Sequence, residues 1–132
     1  MTIHVVAAIV EHKDKFLCVQ RGLHSFGYIS YKYEFPGGKV EINETQESAL
    51  VRELKEELNL DIIVKEHFMT VNYQYPDFDL KMKCFKCHTS QPKIILTEHV
   101  AYKWLPANNL LSLDWAPADI PIAQRLVEEG CH

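Results

Sequence analysis

Apolar and polar positions change rhythm several times along the chain. "IHVVAAIVEH" and "FLCVQR" are runs of β-branched and other apolar residues separated by "KDK", which predicts two buried strands joined by a tight turn. Residues 22–33, "GLHSFGYISYKY", hold aromatic side chains without any period. They predict a loop whose rings serve as a pocket wall or pack into the core. A helical rhythm follows in "TQESALVRELKEEL", with Thr45 as the N-cap (Asn43 being the alternative) and Asn59 as the left-handed residue that ends the helix. "DIIVKEHFMTVNYQY" and "DLKMKCFKCHT" alternate as two long strands about the turn "PDFD", and "HVAYKWL" predicts a shorter one. "DWAPADIPIAQRLVEEG" reads as a loop feeding a C-terminal helix, with Pro121 in its first turn and Gly130 at its end. There are no repeats or low-complexity tracts. The order of elements predicts one α/β domain over residues 1–132, a mixed sheet covered by two helices.

Composition narrows the function more than the fold. No apolar run is long enough to span a bilayer. The first residues, "MTIHVVAAIVEHKDK", place their charges after the apolar stretch, unlike a secretory leader. The expectation is a cytoplasmic protein with no membrane partner. In that compartment Cys18, Cys84, Cys87 and Cys131 are free thiols or core fillers. Net charge is −4 and no Lys or Arg run stands out, which argues against a duplex binder that tracks phosphates. An anionic partner would need a cation between it and the protein. "CFKCH" matches the haem-attachment pattern, but it lies in a predicted strand, where residues three apart point to opposite faces. Cys84 and Cys87 therefore do not serve one haem or one zinc.

The stretch with the most chemistry is "RELKEEL", residues 52–58. At about 100° per residue, Leu50, Val51, Leu54 and Leu58 form an apolar stripe, with Glu53 and Glu57 on the flank beside it and Glu56 just beyond. Ala49, a turn earlier on the same flank, leaves room above the carboxylates. Acids that border a core raise their pKa or acquire a counter-charge. Arg52 neutralises one of them, so the rest call for a hard divalent cation with oxygen ligands, Mg2+ or Mn2+. A solvated acidic face would need neither. The loop before the helix favours the cation, because "PGGKVE" puts two glycines where backbone closely approaches a ligand.

Gly38, Glu44 and the run Arg52 to Leu60, at spacings of five and seven residues, resemble the Nudix box at nearly every defined position. Asn59 stands where that family usually has Gly, and Asn is the next-best left-handed residue. "VVAAIV", "QR" at 20–21, "EFPGGKVE" and "APADIP" are similar to the MutT-like branch, and most similar to its CTP pyrophosphohydrolase type. The resemblance implies a Nudix α/β/α sandwich and hydrolysis of a nucleoside triphosphate to the monophosphate and pyrophosphate. It implies Glu53, Glu56, Glu57 and the Gly38 carbonyl as Mg2+ ligands, with Glu44 and Arg52 structural. Glu53 or Glu98 is the implied general base. In that branch the position of Asp119 reads the base edge; an ionised Asp accepts hydrogen bonds, as from the N4 amine of cytosine or from N1–H and the N2 amine of guanine. Arg21 is a candidate phosphate contact, and Phe35 and Tyr75 are candidate stacking rings. The leading expectation is a cytosine nucleotide as small-molecule partner, with no nucleic-acid polymer. The alternatives are an 8-oxo-dGTP hydrolase and a non-catalytic nucleotide sensor.

Overall fold

Strand β1 (Thr2–His12) is the axis of the sheet. In the computed structural model, which describes residues 1–130, one edge of β1 runs parallel to β6 (Asp79–His88) from Thr2 opposite Asp79 to Glu11 opposite His88. The other edge is divided. Val5–Ala7 pair antiparallel with β4 (Gly37–Lys39), whereas Glu11 and His12 pair with the start of β2 (Lys15–Gln20). Strand β2 in turn carries β3 (Tyr33–Glu34) and β7 (Ala101–Leu105), and β5 (Ile63–Gln74) lies antiparallel to β6. The turn between β1 and β2 is Lys13–Asp14, both at positive φ (50° and 62°). That is the mirror-image turn whose twist matches the strands it joins. The expected α/β class and mixed sheet are observed.

Period-two alternation sends side chains of one strand to two cores. Val6, Ala8 and Val10 face helix α1 (Gln46–Leu58), while Ala7 and Ile9 face helix α2 (Ile120–Gly130). Burying Leu50, Leu54 and Leu58 of α1 contributes about 2 kcal/mol each. Thr45 caps α1, its Oγ1 accepting from the Ser48 N–H at 3.0 Å, and Asn59 ends it at φ 51°, ψ 37°. Asn43 is not the cap; it occupies a turn at φ 66°. Cys84 packs on the α2 face and Cys87 on the α1 face, so the strand geometry does separate the two thiols. Burial pushes the thiols of Cys18 and Cys87 up to about 12, as expected of core fillers. Cys131 lies outside the described residues. Among those residues no helix is long and apolar enough to cross a membrane.

The predicted stripe on α1 is displaced. Val51 is 43% exposed, and the buried set is Ala49, Leu50, Leu54 and Leu58. Counted from Ala49, that set spans an arc of about 180°, with Glu53 at about 40° and Glu57 at about 80°. The two acids lie inside the buried arc, not on its flank, and Ala49 is core. A wheel scores Leu50 and Val51 alike; β4 and β1, packed against α1 on one side, decide between them. Strands β3 and β4 and the short 3-10 turns at Ala107–Ser112 and Pro117–Asp119 have no counterpart in the sequence reading.

Candidate active site

Two adjacent glycines bring α1 against the sheet. A Cβ on Gly37 would fall inside the Val6 carbonyl oxygen of β1, so only glycine permits that strand pairing. A Cβ on Gly38 would lie 2.5 Å from the carboxyl carbon of Glu53 and 2.6 Å from both its oxygens. The Gly38 backbone and the Glu53 carboxylate are thus close neighbours because no side chain separates them.

Arg52 organises the carboxylates beside this contact. Its Nε and Nη2 donate to the two oxygens of Glu44 at 2.7 and 3.0 Å, and Nη2 also reaches the Lys39 carbonyl at 3.1 Å. Its Nη1 donates to Glu53 Oε1 at 3.0 Å and to Glu56 Oε2 at 3.3 Å. Glu44 Oε1 also accepts from the Glu41 N–H at 2.9 Å. The Arg52 guanidinium holds the Glu44 carboxyl down to about 2, and Glu44 in return raises Arg52. Glu57 has no such partner. Its Oε2 is buried without a hydrogen bond among the described residues. Burial first, then the neighbouring Glu53, then Glu34 and Glu98, push its carboxyl far above the usual range.

Glu98 reaches this group through a pinned loop. Ile95 N–H donates to the Leu58 carbonyl at 3.0 Å, and Thr97 donates from N (3.2 Å) and Oγ1 (2.9 Å) to the Glu57 carbonyl. These bonds satisfy the last carbonyls of α1 and set exposed Glu98 near Glu57. Among the described residues, no three His, Cys, Asp or Glu side chains already converge as a metal cage. The reason is visible: Arg52 occupies Glu53 and Glu56, and the Glu56 side chain is 61% exposed. A divalent cation nevertheless suits the donor set. It would neutralise the crowded acids and satisfy the orphaned Glu57 oxygen, next to a backbone that approaches as closely as Gly38 does.

From Gly38 a cavity of about 510 Å³ runs between the sheet and the loop 22–33. Arg21, Phe35, Tyr75 and Asp119 all line it. Glu53, Glu56, Glu57 and Glu98 do not; the first of them stands behind Gly38, where the cavity meets α1. Asp119 is 5% exposed, and its Oδ2 accepts from the Phe35 N–H at 2.9 Å. Burial, then the charge of Glu34, push its carboxyl well up, against the Phe35 bond and Arg21. Phe35 stacks on Trp115 (centroids 4.7 Å, 19°) and Tyr75 on Tyr28 (4.8 Å, 14°), and the Tyr75 hydroxyl accepts from the Ala118 N–H at 3.0 Å. Both rings are core residues with an edge in the cavity. Phe26 and Ile29, from the aromatic loop, line the cavity too, so that loop is a pocket wall.

Two residues escaped the sequence reading. Glu34 lines the cavity, and Arg21 Nε donates to its Oε1 at 3.0 Å. Arg21 is therefore tied to a carboxylate. The side chain of His99 is 6% exposed and its Nε2 lies 3.0 Å from the other Glu34 oxygen. A charge lodged between Tyr33 and Phe35 was a legible signal for Glu34. His99 had none, because its burial comes from the pinning of the 94–100 loop.

A mixed sheet between two helices, with a glycine pair feeding an acid-rich helix beside a cavity, is the arrangement expected of a Nudix-type hydrolase. The NUDIX domain profile matches residues 1–126, and the chain belongs to that family. It is an enzyme that hydrolyses nucleoside diphosphate-linked substrates. A CTP pyrophosphohydrolase of Escherichia coli K12 is 35% identical over 122 residues, which is 92% of this chain and 89% of the relative. An 8-oxo-dGTP diphosphatase of Proteus vulgaris is 38% identical over 85 residues, 63% of this chain and 73% of the relative. Among solved structures, a MutT protein of the Nudix hydrolase family from methicillin-resistant Staphylococcus aureus 252 superposes with a TM-score of 0.74 at 39% identity, covering 98% of each chain.

Proposed function

We propose that the chain hydrolyses nucleoside and deoxynucleoside triphosphates to the monophosphate and pyrophosphate with Mg2+, for which Mn2+ can substitute, and that its preferred substrates are cytosine nucleotides. The observation that carries this reading is a cavity whose wall holds both buried Asp119 and Gly38, with Glu53 directly behind Gly38. A nucleotide bound there would set its base at Asp119 and direct its phosphates past Gly38 toward the acids of α1. Glu53, Glu56, Glu57 and the Gly38 carbonyl would hold the cation; its contribution when bound is to neutralise the polyphosphate and acidify water.

The remaining chemistry belongs to the chain. Arg52 fixes the Glu53 carboxylate through Oε1, leaving Oε2 available to accept a proton as general base. Glu98, on its pinned loop, is the second candidate for that role. Arg21 and Lys39 are the Arg and Lys side chains on the cavity wall and would offset phosphate charge as the tail enters. Asp119, already holding the Phe35 N–H through one oxygen, presents its other oxygen to the base edge, where it accepts from the N4 amine of cytosine in its ionised form, the form that burial and Glu34 disfavour before a donor arrives. Phe35, backed by Trp115, gives the base an apolar edge.

Relatives named for 8-oxo-dGTP favour a second reading, because N1–H and the N2 amine of a guanine satisfy the same carboxylate. Rates on CTP, dCTP, 5-methyl-dCTP and 8-oxo-dGTP at equal concentration, with pyrophosphate release as readout, separate the two. The cytosine nucleotides are expected to lead. If 8-oxo-dGTP leads by about a hundredfold, which is near the upper range of discrimination a bidentate base-edge contact provides, the guanine reading replaces the first.

A further inference from the structure

The Glu34 carboxylate is held from two sides. Arg21, the residue after the end of β2, donates to Oε1, and His99 meets Oε2, each at 3.0 Å. A carboxylate facing these donors only accepts, so the His99 proton sits on Nε2. Its Nδ1 is fully buried and has no partner among the described residues. An unsatisfied buried nitrogen is costly, and the contact of the other nitrogen with Glu34 is what offsets it. His99 is positioned firmly: Thr97 is bonded to the Glu57 carbonyl on one side, and Val100 N–H donates to the Gln20 carbonyl at 3.0 Å on the other. The same pinned loop carries Glu98.

Glu34 lines the cavity that also contains Asp119 and Gly38. With each oxygen already taking one donor, each keeps a lone pair, and two fixed donors deny the side chain an alternative rotamer. We propose that His99 is a positioning residue that, with Arg21, locks Glu34 as a fixed acceptor for a hydrogen-bond donor on the bound nucleoside. The donor is a sugar hydroxyl or an exocyclic amine. Recognition of the nucleoside is thereby tied to the loop that delivers Glu98 to the acids of α1. This rests on the reading that the cavity holds the nucleoside.

The test is calorimetric binding of CMP, the expected product, which requires neither cation nor turnover. It compares wild type with H99L, H99Q, E34Q and the H99L/E34Q double variant, and checks each for wild-type thermal unfolding. Leucine keeps volume and loses the donor, whereas the Gln amide can reach where Nε2 stood. H99L should weaken CMP by roughly tenfold, the worth of one charge-assisted hydrogen bond, and H99Q should restore most of it. The double variant should bind no more weakly than E34Q alone, since His99 acts through Glu34. Loss of the H99L effect with 2′-deoxy-CMP identifies a sugar hydroxyl as the donor; loss with UMP identifies the N4 amine. Wild-type affinity in H99L, or penalties in the double variant that simply multiply, would overturn the assignment while leaving the cavity reading intact. No binding of CMP to wild type would remove both.

Discussion

Glu57 and Glu53 are neighbours on one helix, yet they are treated differently by the residues around them. Glu53 is held by Arg52 and overlain by Gly38, while Glu57 is half-buried and its Oε2 has no partner among the described residues. A Glu53→Gln variant keeps an oxygen for Arg52 and loses the basic carboxylate. Turnover is expected to fall by roughly a thousandfold, with an unchanged urea midpoint; a wild-type rate would remove Glu53 from the chemistry. Glu44 makes a prediction about stability instead. Its carboxyl is held down to about 2 in the folded protein, below its ordinary value of 4.5. The folded state therefore resists protonation where the unfolded chain accepts it, so the contribution is full above pH 4.5 and is lost as pH falls through about 2. Glu44→Gln should be less stable than wild type at pH 7, and the gap in urea titrations should close between those values. A gap that persists at pH 2 would show that Glu44 acts through packing and not through its charge. Identity and spacing of these acids were legible in "RELKEEL", because a helix fixes which side chains share a face. Their burial was not, since it depends on which of Leu50 and Val51 the sheet covers.

The elements that presented a clear period in sequence, β1, β2, α1, β5, β6, β7 and α2, all formed. Strands β3 and β4 did not announce themselves. They have two and three residues, and β4 reads Gly-Gly-Lys, a sequence with no strand preference of its own. What makes β4 a strand is the edge of β1 that β2 leaves open. The two glycines on it answer to different partners, which a pair of variants separates. In Gly37→Ala the new methyl meets the Val6 backbone, which cannot yield without breaking the β1–β4 pairing, so poor folding is expected. In Gly38→Ala the methyl meets the end of the Glu53 side chain, which can swing aside. That variant should fold nearly as well as wild type, judged by its melting temperature, and lose most of its turnover. Equal stability losses in both would mean that Gly38 serves the strand and not the carboxylate.

At the scale of the whole molecule, two cores on opposite faces of one sheet leave a cavity that Glu34 and Asp119 line and whose Gly38 wall backs onto Glu53 of α1. The charge of Glu34 adds to the cost of ionising both Glu57 and Asp119, in a chain whose net charge is already −4. We propose that residues 1–132 form one domain, which should unfold in a single calorimetric transition. A cation that binds the folded state alone must raise the temperature of that transition by mass action. Magnesium at about a hundred times its dissociation constant stabilises by about 2.7 kcal/mol, a rise on the order of 10 °C for a domain of this length. Sodium chloride at matched ionic strength screens repulsion without coordinating, so it should give only a small part of that rise. Glu57→Gln removes both the penalty and the ligand; it should melt higher than wild type without magnesium and respond little to it. If magnesium and sodium chloride shift wild type equally, the crowded acids are an electrostatic burden relieved by any salt, and they do not form a cation site.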